Sequence, residues 1–241
     1  QTVRARLSAH PGNGQGVTAQ LYLRVYGAKD TLTRIYGPQA VIGPADHNTL
    51  QWRIPETGGQ PIAEIGIELS HHSRADGTLF LDYLTWDGEP ECTFSDPENG
   101  GQMWRRAWVN GIDQFDFRWV EPYRLCQNSG RGLLMSGSRE WHNYRVTSSL
   151  TPHLVTAGGV AVRVQGMRRY YALLLARVAG KPVARLVKVL HDETVLAEQA
   201  FEWNFGEGYE LSLQVNGTRL QGSINGKQLF NLRDDEPTLR G

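Results

Sequence analysis

The chain has 241 residues, 40% hydrophobic and 21% charged, enough for one large domain or two small ones with cores of their own. Lys plus Arg equals Asp plus Glu at 25 each, so no charge excess favours nucleic acid or an anionic membrane as partner. No apolar run approaches the ~20 residues of a membrane-spanning helix, and 27 glycines with 11 prolines favour short strands and tight turns.

In chain order, the opening Gln1-Thr2-Val3-Arg4 reads as the inside of a strand and not as a signal peptide, as expected of a chain cut from a longer protein. Strict alternation marks strands at Val3, Ala5 and Leu7, at Ala19 through Val25, at Ile65 through Leu69, and at Leu79 through Tyr83. Turns are expected at Pro11-Gly12-Asn13-Gly14, Gly37-Pro38, Gly43-Pro44, Thr57-Gly58-Gly59 and Asp76-Gly77. Trp86-Asp87-Gly88-Glu89-Pro90 ends this series, and a polar loop over 95–101 follows. These two segments place a domain boundary near residue 90, with domains 1–90 and 91–241 joined by a short linker and expected to pack together.

Beyond the boundary, Met103 to Val109 fits a short helix or a strand. Strands follow at Trp141 to Leu150, at Val160 to Val164, and at Tyr170 to Val178, which is apolar on both faces like a central strand covered on both sides. Arg185–Leu190 and Thr194–Phe201 form a hairpin. Tyr209–Val215, Thr218–Ile224 and Lys227–Leu232 form a meander through Asn216-Gly217 and Asn225-Gly226, strong hairpin turns. No helix beyond about two turns is expected. The fold class is therefore all-β, two consecutive β-sandwich domains.

Cys92 and Cys126 are too few for a disulfide framework and match no metal motif; two buried thiols are expected, with one disulfide the alternative. The sequon Asn216-Gly217-Thr218 stands alone as a sign of secretion. Glycoside hydrolysis needs two acids ~5–10 Å apart across one bond. Asp113, Asp116 and Glu121 are the nearest cluster, but a spacing of three puts Asp113 and Asp116 on opposite faces of a strand. Asp234-Asp235-Glu236 reads as a solvated turn, and the adjacent His71 and His72 make a poor chelate. No nucleophilic triad or phosphate loop is readable, so an enzyme is not the expectation.

Residues 208–217 and 220–227, with Trp141-His142-Asn143-Tyr144 and Gly158-Gly159-Val160-Ala161-Val162-Arg163, resemble strands of a concanavalin/laminin-G-type jelly roll. The first domain resembles a galactose-binding-like jelly roll at Gly77-Thr78-Leu79-Phe80-Leu81-Asp82-Tyr83-Leu84. The tandem, including Trp52-Arg53-Ile54-Pro55 and Glu140-Trp141, is similar to a region appended to some bacterial ADP-ribosylglycohydrolase-type proteins. That family's helical, magnesium-binding core is not among these residues, so its activity does not carry over. In related modules an acid on the closing strand holds a structural calcium, which makes Asp82 the metal candidate. The resemblance also implies a final strand after the acidic turn; with the sequence running to Leu239-Arg240-Gly241, the expectation is that this strand is missing or supplied elsewhere.

Aromatic residues make up 10% of the chain, and sugars bind by stacking on flat rings with Arg, Asn and Gln reading their hydroxyls. The candidate binding residues are Trp104, Arg105, Trp108 and Tyr123, with Trp119 and Arg124 beside them, and Arg163, Gln165, Arg169 and Tyr170, which strand pairing would bring side by side. The expectation is a non-catalytic carbohydrate- or glycoconjugate-binding accessory module of a larger hydrolase. The alternatives are a jelly-roll glycoside hydrolase or lyase, or a docking domain for a covalently linked catalytic domain.

Overall fold

The structure, a computed structural model, describes residues 1–74, 76–94, 101–115, 119, 121, 123–235 and 239. Among these the chain is all-β: sixteen strands, two 3-10 turns at Ala28–Asp30 and Met103–Ala107, and no α-helix. Tertiary contacts divide it into two compact units, Gln1–Cys126 and Gln127–Gly241.

The first unit holds β1 (Thr2–Ala9), β2 (Val17–Tyr26), β3 (Leu32–Ile42), β4 (His47–Arg53), β5 (Ile62–Ser70), β6 (Leu79–Asp87) and the short β7 (Val109–Gly111). Two three-stranded antiparallel sheets form, in the orders β4-β1-β6 and β3-β2-β5. Alternation decides their faces: Val3, Ala5 and Leu7 of β1 and Ala19 and Leu21 of β2 are buried, and meet Ile42 and Leu50 in one core. Gly37-Pro38 is not a turn but the interior of β3, which runs straight through it. The register slips between Gln20 and Tyr22 at this point, and an edge strand tolerates proline at such a bulge. Gly37 is needed there because a Cβ would stand 2.7 Å from the Trp52 ring.

The contact division falls later than residue 90 for a physical reason. The Asp30 carboxylate accepts the backbone N–H groups of Gln102 (2.8 Å) and Met103 (2.9 Å), and Arg53 pairs with Glu91 at 2.8 Å. These bonds tie the segment after β6 back onto the first sandwich.

The second unit holds β8 (Leu133–Met135), β9 (Tyr144–Leu150), β10 (Ala157–Gly166), β11 (Arg169–Val178), β12 (Lys181–Leu190), β13 (Asp192–Ala200), β14 (Tyr209–Asn216), β15 (Arg219–Ile224) and β16 (Lys227–Arg233). Its sheets are antiparallel, in the orders β10-β11-β12-β13 and β16-β15-β14-β9. Between them lie Val162, Leu173, Leu175, Leu186, Trp203, Leu211, Leu213, Leu220 and Ile224, all fully buried. β11 and β12 are covered on their other face as well, by a small cluster of Tyr170, Ala172, Val187 and Val189 with Leu133, Ala161 and Val164. The expected meander is present to within a residue at each strand end, and both Asn225 and Gly226 have positive φ, as a tight hairpin turn demands.

Candidate ligand-binding faces

Four of the eight candidate binding residues lie in the first unit, and their rings are spent on one another. Trp104, on the 3-10 turn, is 4% exposed. It meets Tyr123 at 5.1 Å and Phe115 at 5.9 Å between centroids, and Trp108 meets Tyr123 at 5.8 Å and Phe94 at 4.5 Å. Arg105 lies over Trp104 and Phe115 and donates to the Phe115 carbonyl at 2.9 Å. These rings pack into an aromatic cluster that holds an irregular segment. Trp119 is capped by Arg124 at 5.2 Å.

In the second unit Arg163 is buried while Gln165, two residues on, is exposed. The β10–β11 register shifts between Val162 and Gly166, and Arg163 adopts a φ of 51°. The bulge turns its guanidinium inward, 6% exposed. It donates to the His142 carbonyl (3.2 and 3.0 Å) and the Leu239 carbonyl (3.2 Å), while its backbone N–H donates to the Tyr144 hydroxyl. Burial pushes its pKa below the usual arginine value. Tyr170 is 4% exposed, with Arg131 over its ring at 5.8 Å. Gln165 and Arg169 bond to each other at 3.1 Å on the exposed hairpin end.

Asp82 sits on β6 with its carboxylate 3.4 Å from the Arg6 guanidinium and accepting from the Ser8 hydroxyl at 3.2 Å. A cation already stands beside it, and the donor set does not fit calcium, which takes six to eight oxygens. Among the described residues no group of three or more His, Cys, Asp or Glu is placed to hold a metal ion. Cys92 and Cys126 are unbonded thiols, but Cys92 is exposed and Cys126 half-buried, not core residues. Asp113 is exposed and Asp116 lies outside the described residues. In the acidic run, Asp234 is no solvated turn: its carboxylate accepts from the Tyr171 hydroxyl at 2.6 Å and pairs with Lys188 at 2.5 Å, both charged side chains about one-tenth exposed. Glu236 lies outside the described residues.

Two sheet faces present polar side chains in ordered rows. On the outer face of β3-β2-β5 the charges satisfy one another. Arg24 pairs with Glu64 at 3.1 Å and Arg34 with Glu68 at 2.8 Å, and the Tyr22 hydroxyl donates to Glu64, holding that carboxyl below its usual range. Arg34 also covers the Tyr22 ring at 4.5 Å. The outer face of β16-β15-β14-β9 differs. Here a depression of about 310 Å³ is lined by Arg145, Thr147, Glu210, Ser212, Gln214, Gln221, Ser223, Gly226 and Gln228.

Register shows how that depression arises. Thr147, Ser212 and Ser223 stand side by side across three strands and form a floor of short hydroxyl side chains. Arg145, Gln214, Gln221 and Asn231 form the next row on one side, and Ser149 with Glu210 the row on the other. Rows two residues apart are ~6.8 Å apart along the strands and neighbouring strands ~4.8 Å apart. Short residues flanked by long ones make a trough running across the strands. The alternation of Glu210, Ser212 and Gln214 with buried Leu211, Leu213 and Val215 was the signal for it in the sequence.

No protein-family model matches this chain, and no curated protein matches it.

Proposed function

We propose that the chain is a non-catalytic glycan-binding module, working beside a covalently linked catalytic domain, and that the second unit binds the glycan in its polar trough. The observation that carries this reading is the trough itself. Its volume falls at the lower end of the range for small-ligand sites, ~300–1,000 Å³. Apart from Arg145 and Glu210, its lining side chains are amides and hydroxyls, which can donate to and accept from sugar hydroxyls. A hydrolase reading has less support, because among the described residues the trough holds one carboxylate, Glu210, where glycoside hydrolysis uses two.

Screening the full chain on a glycan array tests the proposal, with Ser212→Phe placing a ring on the trough floor. Ser212 points outward, so the variant is expected to melt like the parent while losing at least tenfold in binding. Equal binding by parent and variant would reject the trough as the site.

A further inference from the structure

We infer that the glycan held in this trough carries an anionic group, a carboxylate, sulfate or phosphate ester, bound on the side that Arg145 lines and beyond which Arg219 and Arg233 stand. This rests on the glycan reading of the same face. Arg219 and Arg233 are register partners on β15 and β16. The next pair along, Leu220 and Leu232, packs into the core, so both arginines point outward on the trough face. Like charges directly opposite each other across two strands are destabilising. Among the described residues no carboxylate forms an ion pair with Arg145, Arg219 or Arg233.

On the outer face of β3-β2-β5 the arginines are matched: Arg24 and Arg34 each face a glutamate. At the trough the partners are neutral amides. Arg145 donates to the Gln214 side-chain oxygen at 2.6 Å, and Arg219 to that of Asn231 at 2.8 Å. These bonds orient the guanidiniums, and among the described residues they bring no carboxylate to them. Glu210 lies two rows away from Gln214, on the opposite side of the trough, ~14 Å along the strand. The face is therefore polarised, with hydroxyls between its poles. A guanidinium reads carboxylate, sulfate and phosphate oxygens by two parallel hydrogen bonds from its planar fork. An acidic sugar laid with its charge on this side relieves the Arg219–Arg233 repulsion and keeps its hydroxyls over Thr147, Ser212 and Ser223.

The test is calorimetric titration of the full 241-residue chain with heparin oligosaccharides, polygalacturonate oligosaccharides and the desulfated or carboxyl-reduced counterpart of each. Acidic forms are expected to bind at least tenfold tighter than their neutral counterparts at 50 mM NaCl, and to lose about tenfold at 300 mM as salt screens the contact. The sulfated and the uronate-only series distinguish the two anion sources. In Arg219→Gln/Arg233→Gln, acidic and neutral forms should bind alike, while Ser212→Phe loses both. Equal affinity for acidic and neutral forms, or an acidic preference kept by the double variant, overturns the anionic inference and leaves the glycan reading standing. Binding to no glycan, or an oligonucleotide bound more tightly than every glycan, overturns both.

Discussion

Arg163 is a cation buried among backbone carbonyls, and its role follows from what surrounds it. Its bonds to His142 and Leu239 fasten the approach to β9 and the last described residue of the chain onto β10. Leu239 is fully buried, so that carbonyl has no solvent to turn to. Hydrogen bonds from a charged donor contribute ~1.5–3 kcal/mol each, and a buried carbonyl left unpaired costs ~1–3 kcal/mol. Arg163→Met is expected to destabilise the second unit by about 3 kcal/mol, measured by urea denaturation. Arg169→Met, whose head bonds only to exposed Gln165, is expected to change stability by less than ~0.5 kcal/mol. Similar losses in both variants would show that burial of the Arg163 head contributes nothing. The sequence places Arg163 and Gln165 two apart on a regular strand, hence on one face. The register shift instead buries Arg163 beside Val162 while Gln165 stays exposed, and a bulge has no dependable local signature.

The elements of the second unit were the most legible. Asn-Gly turns and period-two burial locate β14, β15 and β16, because both signals are local and act on neighbouring residues. In the first unit β3 and β4 were missed. Gly37-Pro38 has turn composition, and only the packing of Trp52 over Gly37 explains its place inside a strand. Glycines at close approaches also decide register. A Cβ at Gly159 would overlap the Leu173 carbonyl oxygen and stand 3.0 Å from the Leu174 Cα, all main chain of the partner strand β11. Since main chain cannot swing aside, Gly159→Ala is expected to cost about 2–3 kcal/mol and to lower the melting temperature of the second unit, as overpacking does. Gly180→Ala, where a Cβ would meet nothing but φ is 81°, separates steric overlap from backbone strain. A Gly159→Ala protein as stable as the parent would mean that β10 and β11 can move apart at no cost.

At the scale of the molecule, buried phenols set its behaviour in alkali. Burial raises the pKa of Tyr144, Tyr170 and Tyr171, the last also through its bond to Asp234. An unfolded tyrosine ionises near ~10. With folded values above that, these groups contribute stability fully below about pH 10, and the contribution is lost as pH rises further. The urea midpoint of the second unit should stay level to about pH 9 and fall above about pH 10, in step with tyrosinate absorbance. A level midpoint through pH 11.5 would contradict this placement of the three rings.

All-β character was determined by the sequence alone, because alternation, glycine content and tight turns act within a few residues of one another. The polar and apolar faces of the meander were determined in the same way. The tertiary structure decided where the first unit ends, since Asp30 reaches Gln102 and Met103 across seventy residues of chain. It also decided which aromatics and arginines are spent on packing. Trp104, Tyr170 and Arg163 read as ligand contacts from composition, yet burial and hydrogen bonding depend on neighbours distant in sequence. The trough depends on both: its residues alternate visibly along each strand, but only the pairing of four strands sets short side chains between long ones and brings Arg219 against Arg233.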